Sequence, residues 1–176
     1  MKDVFKENKA KMRALFEQVV EDAAGYQLVY AYSSSIKTSN YILARKTTYT
    51  YTSLIVGFRE ADMSIVILQT TPELEGCSDP EIFRKGEIKK AKVVQGGFTI
   101  YHKGGLMAGY TQFYISDEYD DDNLFAYMRQ SEEAAQWDIF PGLNSVSKYG
   151  YDNSHLNHSC RYESLFTCSS SVGGDN

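Results

Sequence analysis

The residues best suited to chemistry come late in the chain. His155-Leu-Asn-His158-Ser-Cys160, followed by Cys168, gathers four nitrogen and sulfur donors within 14 residues, enough in kind for a tetrahedral zinc ion. The order His-x-x-His-x-Cys with a distant second cysteine matches no common finger spacing. A metal would also have to order this Ser- and Asn-rich stretch unaided, so a zinc-binding module built on the tail stands against a plain solvated tail. Ser145-Val-Ser-Lys148 has the Ser-x-x-Lys form of acyl-transferring serine enzymes, but no Ser-Asp-Asn or Lys-Thr-Gly accompanies it. Cys77 sits between Gly76 and Ser78 with no neighbouring cation to lower its pKa. His102 lies at the end of an alternating run beside Lys103, which reads as a surface strand position. The sequence shows no Gly-x-Ser-x-Gly elbow, phosphate-cradling loop, His-Glu-x-x-His or Cys-x-x-Cys. It therefore leans away from an enzyme and calls for no cofactor.

Two charged runs remain. Ser116-Asp-Glu-Tyr-Asp-Asp-Asp122 precedes a helical pattern, where carboxylates accept hydrogen bonds from free amides and sit at the positive end of the dipole. An EF-hand frame starting at Asp117 puts Asp122 and Met128 where Gly and Glu are needed, so calcium fails on spacing. The other run, 84–92, holds Arg84, Lys85, Lys89, Lys90 and Lys92 against the single acid Glu87, in a chain of net charge −5. Such a patch attracts phosphate or other anionic groups by its local potential even when the molecule is acidic. Edge-strand lysines that block unwanted pairing would look the same.

These residues need elements to position them. From 4 to 24, Phe5, Met12, Leu15, Phe16, Val19, Val20 and Ala23 recur at helical spacing, with Gly25 placed for a left-handed stop. Residues 26–32 then turn strand-like, and Ser33-Ser-Ser-Ile-Lys-Thr-Ser-Asn40 reads as a polar connector. The centre of the chain is 41–71, rich in Val, Ile, Thr, Tyr and Phe and broken by Arg59-Glu-Ala-Asp62, which predicts a hairpin. Its first arm, 41–58, is long for one strand and leaves room for a break near 48–52. The stretch 82–94, with Gly86 inside, predicts one strand or two, and strands at 98–103 and 106–115 follow the turns Gln95-Gly96-Gly97 and Gly104-Gly105. A second amphipathic helix is expected over 123–140, ended by Pro141-Gly142.

At 176 residues, 43% of them hydrophobic and 14% aromatic, the chain can bury one ordinary core. The predicted organisation is a helix at 1–25 packed on the domain, an antiparallel β domain with a closing helix at 26–141, and a loosely ordered tail at 142–176. Three cysteines fit reduced thiols better than a disulfide framework, and no stretch has membrane-spanning length and apolarity, so the expected location is the cytoplasm. Net negative charge disfavours nucleic acid as main partner. The sequence leaves the oligomeric state open.

Dividing 41–58 in two gives seven strands and then one helix, an order similar to the pleckstrin-homology superfold. Within it, Glu81-Ile-Phe-Arg-Lys-Gly-Glu-Ile-Lys-Lys-Ala-Lys-Val93 looks like the basic strand of bacterial members. The resemblance covers 26–140 and implies an α+β fold: a curved sheet or partly open barrel plugged by a helix carrying Trp137. It does not by itself imply lipid binding. The functional expectation is a non-enzymatic domain presenting a surface to a protein or anionic partner. The alternative is a small-molecule-binding protein or enzyme with a pocket between sheet and helix.

Overall fold

The computed structural model describes residues 3–40, 45–94, 97–102, 109–120 and 124–141. The first element is helix α1, Val4–Val19, capped by Asp3, whose carboxylate accepts from the Lys6 amide. Its apolar face buries Met12, Leu15 and Phe16. The stop comes earlier than Gly25: Val20 is already extended, and the left-handed residue is Asp22, at φ 57°. A short polar side chain that can hydrogen-bond locally tolerates that conformation better than most other side chains do. Gly25 instead closes a short 3-10 turn, Ala23–Gly25.

A four-stranded antiparallel meander follows: β1 Gln27–Asn40, β2 Arg45–Arg59, β3 Ser64–Thr70 and β4 Glu81–Phe83. The expected connector at 33–40 is strand, paired residue by residue with β2 out to Asn40↔Arg45. A ladder surrounded by water accepts Ser and Thr on both faces, so low hydrophobicity did not mark a loop. By the same pairing β2 runs unbroken through 48–52 for 15 residues.

The stretch 82–94 does divide. A turn with Gly86 at φ 91° separates β4 from β5, Ile88–Val94, which joins β6, Gly97–His102, and β7, Gly109–Phe113, in a three-stranded antiparallel sheet. The two sheets meet where Tyr32 and Tyr114 exchange both backbone hydrogen bonds, at 3.0 and 2.7 Å.

The alternation of β1 to β3 buries both faces of the meander. Leu28, Tyr30, Ile55, Val66 and Leu68 pack with Met12, Leu15 and Phe16 of α1. Val29, Ala31, Leu54, Val56, Phe58, Ile65 and Ile67 pack against Ile100 and Phe113 of the second sheet and against Trp137 and Phe140.

The second helix is shorter than its predicted span. Residues 118–119 and 128–129 form a two-stranded ribbon, β8 Glu118–Tyr119 with β9 Met128–Arg129, and α2 covers only Ser131–Asp138. The reason is a change of layer. Tyr119, Ala126 and Met128 are buried on the α1 side, whereas Trp137 and Phe140 are buried on the other, and one straight helix cannot serve both. The acidic run consequently does not cap a helix: Glu118 pairs with Arg129 at 2.6 Å, and the first-turn acids of α2 are Glu132 and Glu133. Among the described residues there are thus two helices and three antiparallel sheets, and no helix is long and apolar enough to cross a membrane.

Candidate functional site

The turn at Gly86 splits the cationic run. Arg84 and Lys85 lie exposed in the connection between the sheets, where the Arg84 amide donates to the Glu87 carboxylate at 2.7 Å. Lys89, Lys90 and Lys92 go to β5, which among the described residues pairs on one side only, with β6. Lys89 falls at a register shift, so Lys90 and Lys92 are left on one face.

Strand pairing then sets what stands beside them. One row across the sheet is Lys90, Tyr101, Tyr110, and the next is Lys92, Thr99, Gln112. Ile100 and Phe113 point the other way, into the core. The Lys92 ammonium sits 5.8 Å above the Tyr101 ring, and Tyr101 and Tyr110 lie 6.1 Å apart. Tyr110 is 65% exposed, a large aromatic surface left facing water. Gln112 donates to the Tyr114 hydroxyl at 3.2 Å, and the Tyr114 ring lies close over Gly97, where any side chain would collide with it. Strands β5, β6 and β7 carry three lysines and no carboxylate, and among the described residues none of the five cations of the run forms an ion pair. The face can hold an anion between Lys90 and Lys92 and stack a flat group on the tyrosines.

No family model matches the chain, and no curated protein or solved structure matches it.

The other candidates fall elsewhere. His155, His158, Cys160 and Cys168 lie outside the described residues, as do Ser145 and Lys148. Among the described residues no group of three or more His, Cys, Asp or Glu is arranged to hold a metal. His102 packs against the Phe83 ring at 4.9 Å and covers Gly109. Cys77 is half-buried with its sulfur 3.8 Å from the Leu15 carbonyl; burial, and then the charge of Asp79, push its thiol up and away from reactivity.

Between α1, α2 and the start of β1 lies a groove of about 460 Å³, bridged at its rim by the ion pair of Lys9 with Glu133. A second hollow of about 320 Å³ opens between the two sheets over Leu54 and Ile67, rimmed on one side by Asp79 and Glu81 and on the other by Tyr110 and Gln112, which it shares with the face of β5 to β7.

Reading the lysines along the chain missed Tyr101, Tyr110 and Gln112. The signal was present: alternation in Phe98-Thr-Ile-Tyr-His102 already sets Tyr101 on the face opposite Ile100.

Proposed function

We propose that this chain is a non-enzymatic binding domain and that the outer face of β5, β6 and β7 docks an anionic group carried by a partner. One observation carries the reading: three neighbouring strands hold three lysines, a tyrosine pair of which Tyr110 is exposed and Tyr101 half-buried, and no acid, in a chain of net charge −5. Lysines on an edge strand also block unwanted pairing, but that role does not call for the tyrosines beside them, whereas a docking face gains attraction and orientation from the two together. The pleckstrin-homology resemblance lends this reading no weight: its seven-strand count comes from dividing 41–58, of which Arg45–Phe58 lies in the single strand β2, and the β8–β9 ribbon stands before α2. The cytoplasm suits such a domain.

The test is co-sedimentation with vesicles with and without phosphatidylserine, run beside a titration with an acidic peptide. Binding to either anionic probe should weaken as salt rises and be lost in Lys90→Glu/Lys92→Glu, with Tyr110→Ala reducing it. Equal, salt-insensitive binding to neutral and anionic probes overturns the reading.

A second reading, a small-molecule site, rests on the hollow between the sheets, whose apolar floor of Leu54 and Ile67 and polar rim have the make-up of a ligand pocket. A stabilising ligand whose effect disappears in Ile67→Trp and persists in the lysine variant would favour it.

A further inference from the structure

Beyond Tyr32 and Ser53, β1 and β2 leave the body of the protein. The bridge to Tyr114 ends at Tyr32, β3 ends opposite Ser53, and from Ser33↔Thr52 to Asn40↔Arg45 the two strands pair, among the described residues, only with each other. We propose that this two-stranded arm is the element through which two copies of the chain associate.

The arm has two unlike faces. Tyr51, Ile36 and Tyr49 continue the face of Tyr32, and Lys37 and Lys46 take the opposite one. Phe125 covers Tyr51 in part, at 5.9 Å, and beyond it the apolar face is bare: Ile36 is 65% exposed and Tyr49 59%. A lone two-stranded ribbon is marginal in water and gains stability when its apolar face is packed, so a bare one is built to be covered.

Charge and area identify the occupant. Segment 33–52 contains Lys37, Arg45 and Lys46 and no acid, which leaves the rest of a chain of net charge −5 at −8. A nucleic acid drawn to the arm meets that acidic body at once. A second copy offers an acidic body to each arm and receives the same in return, the reciprocity of a two-fold axis. Eight residues per strand give an arm roughly 26 Å long and about 10 Å wide. Arm against arm alone therefore covers roughly 260 Å² per copy, well short of the ~800 Å² per partner of a stable interface. Each arm must reach the body of the other copy, which is the contact the charges favour.

The experiment is light scattering coupled to size exclusion on the full chain over a range of concentration and salt. Dimers are expected, weakening as salt rises. Ile36→Ser/Tyr49→Ser and Lys37→Glu/Lys46→Glu should each raise the dissociation constant at least about tenfold. All these side chains lie outside both core clusters, so circular dichroism should show an unchanged fold. Lys90→Glu/Lys92→Glu should leave the dimer intact, separating this result from that of the docking face. A wild type that stays monomeric throughout, or arm variants that dimerise like wild type, overturns the proposal. So does a monomer that binds duplex DNA through Lys37 and Lys46.

Discussion

The side-chain amide of Gln130 takes the place of a β-strand beside Tyr30. Its Oε1 accepts from the Tyr30 amide at 2.7 Å, and its Nε2 donates to the Tyr30 carbonyl at 2.7 Å and to the Ser116 carbonyl at 2.8 Å. Two residues further on, at Tyr32, those positions on the edge of β1 are filled by the backbone of Tyr114. Gln130 is 2% exposed and sits where the chain crosses from the α1 layer to the Trp137 layer, so one residue closes the sheet edge and anchors the crossing. The Tyr30 hydroxyl adds to the same knot: it donates to Ser53 at 2.7 Å and accepts from the Ala126 amide at 3.1 Å.

Gln130→Ala strands a buried amide and a buried carbonyl of Tyr30, each costing about 1–3 kcal/mol when unpaired. Urea denaturation should show a loss of roughly 3 kcal/mol, well above the value for the exposed neighbour Arg129→Ala. Equal effects at the two positions would remove Gln130 from the role assigned here.

Gly57 lies two residues before the end of β2, directly beneath Phe16, and a Cβ there would come within 2.4 Å of the ring. Phe16 is fully buried and cannot swing aside. Gly57→Ala, a substitution that usually helps a strand, should instead lower stability by about 2 kcal/mol through overpacking. The double variant Gly57→Ala/Phe16→Leu should cost less than the sum of the two single changes in a double-mutant cycle.

Trp137, the sole tryptophan, is fully buried among Phe58, Phe98, Phe113 and Phe140. Its emission should be blue-shifted in the native protein and move to the red on unfolding. The indole N–H has no hydrogen-bond partner among the described residues. Trp137→Phe therefore loses volume alone and should cost about 1 kcal/mol, against roughly 3–5 kcal/mol for Trp137→Ala. Similar losses in the two variants would mean that the N–H is paired after all.

Arg59 gathers the β2–β3 turn. It donates to Asp62 at 2.7 and 3.0 Å and to Asp22 at 3.0 Å, and stacks on Tyr26 at 4.3 Å. The hydrogen bonds from Arg59, helped by Ser64 and opposed by partial burial, hold the Asp62 carboxyl well below the usual carboxylate range. A depressed folded value means that the stabilisation is complete above about pH 4 and fades as pH falls through that lower value. Asp62 remains 45% exposed, so the gain is about 1 kcal/mol. The stability difference between wild type and Asp62→Asn should stay level from neutral pH down to about pH 4 and shrink below it. A difference that grows on acidification would contradict the assignment.

Several elements were legible in the residues because their information is local. The three- and four-residue spacing of Met12, Leu15, Phe16 and Val19 specifies α1, and the turn Arg59-Glu-Ala-Asp62 between two β-branched runs specifies the β2–β3 hairpin. The arm at 33–40 was illegible because Ser and Thr are equally at home in a loop and in a solvated ladder, and only the pairing with β2 distinguishes them. The span of α2 was overread because Leu124 and Met128 fit a helical period, and the period does not record that Met128 and Trp137 are buried in different layers. The lysines of the candidate face were visible as a run, but not their company.

Taken alone, the sequence determined an α+β chain rich in antiparallel strands, with its first helix, its central hairpin, its tryptophan and its cationic run in recognisable places. Tertiary structure decided which lysines share a face, which tyrosines stand beside them, and which strands run on past the core. Those outcomes depend on register and on edge-to-edge contacts between residues far apart in the chain, such as Tyr32 with Tyr114 and Tyr30 with Gln130, and a strand's own alternation carries no record of its partner.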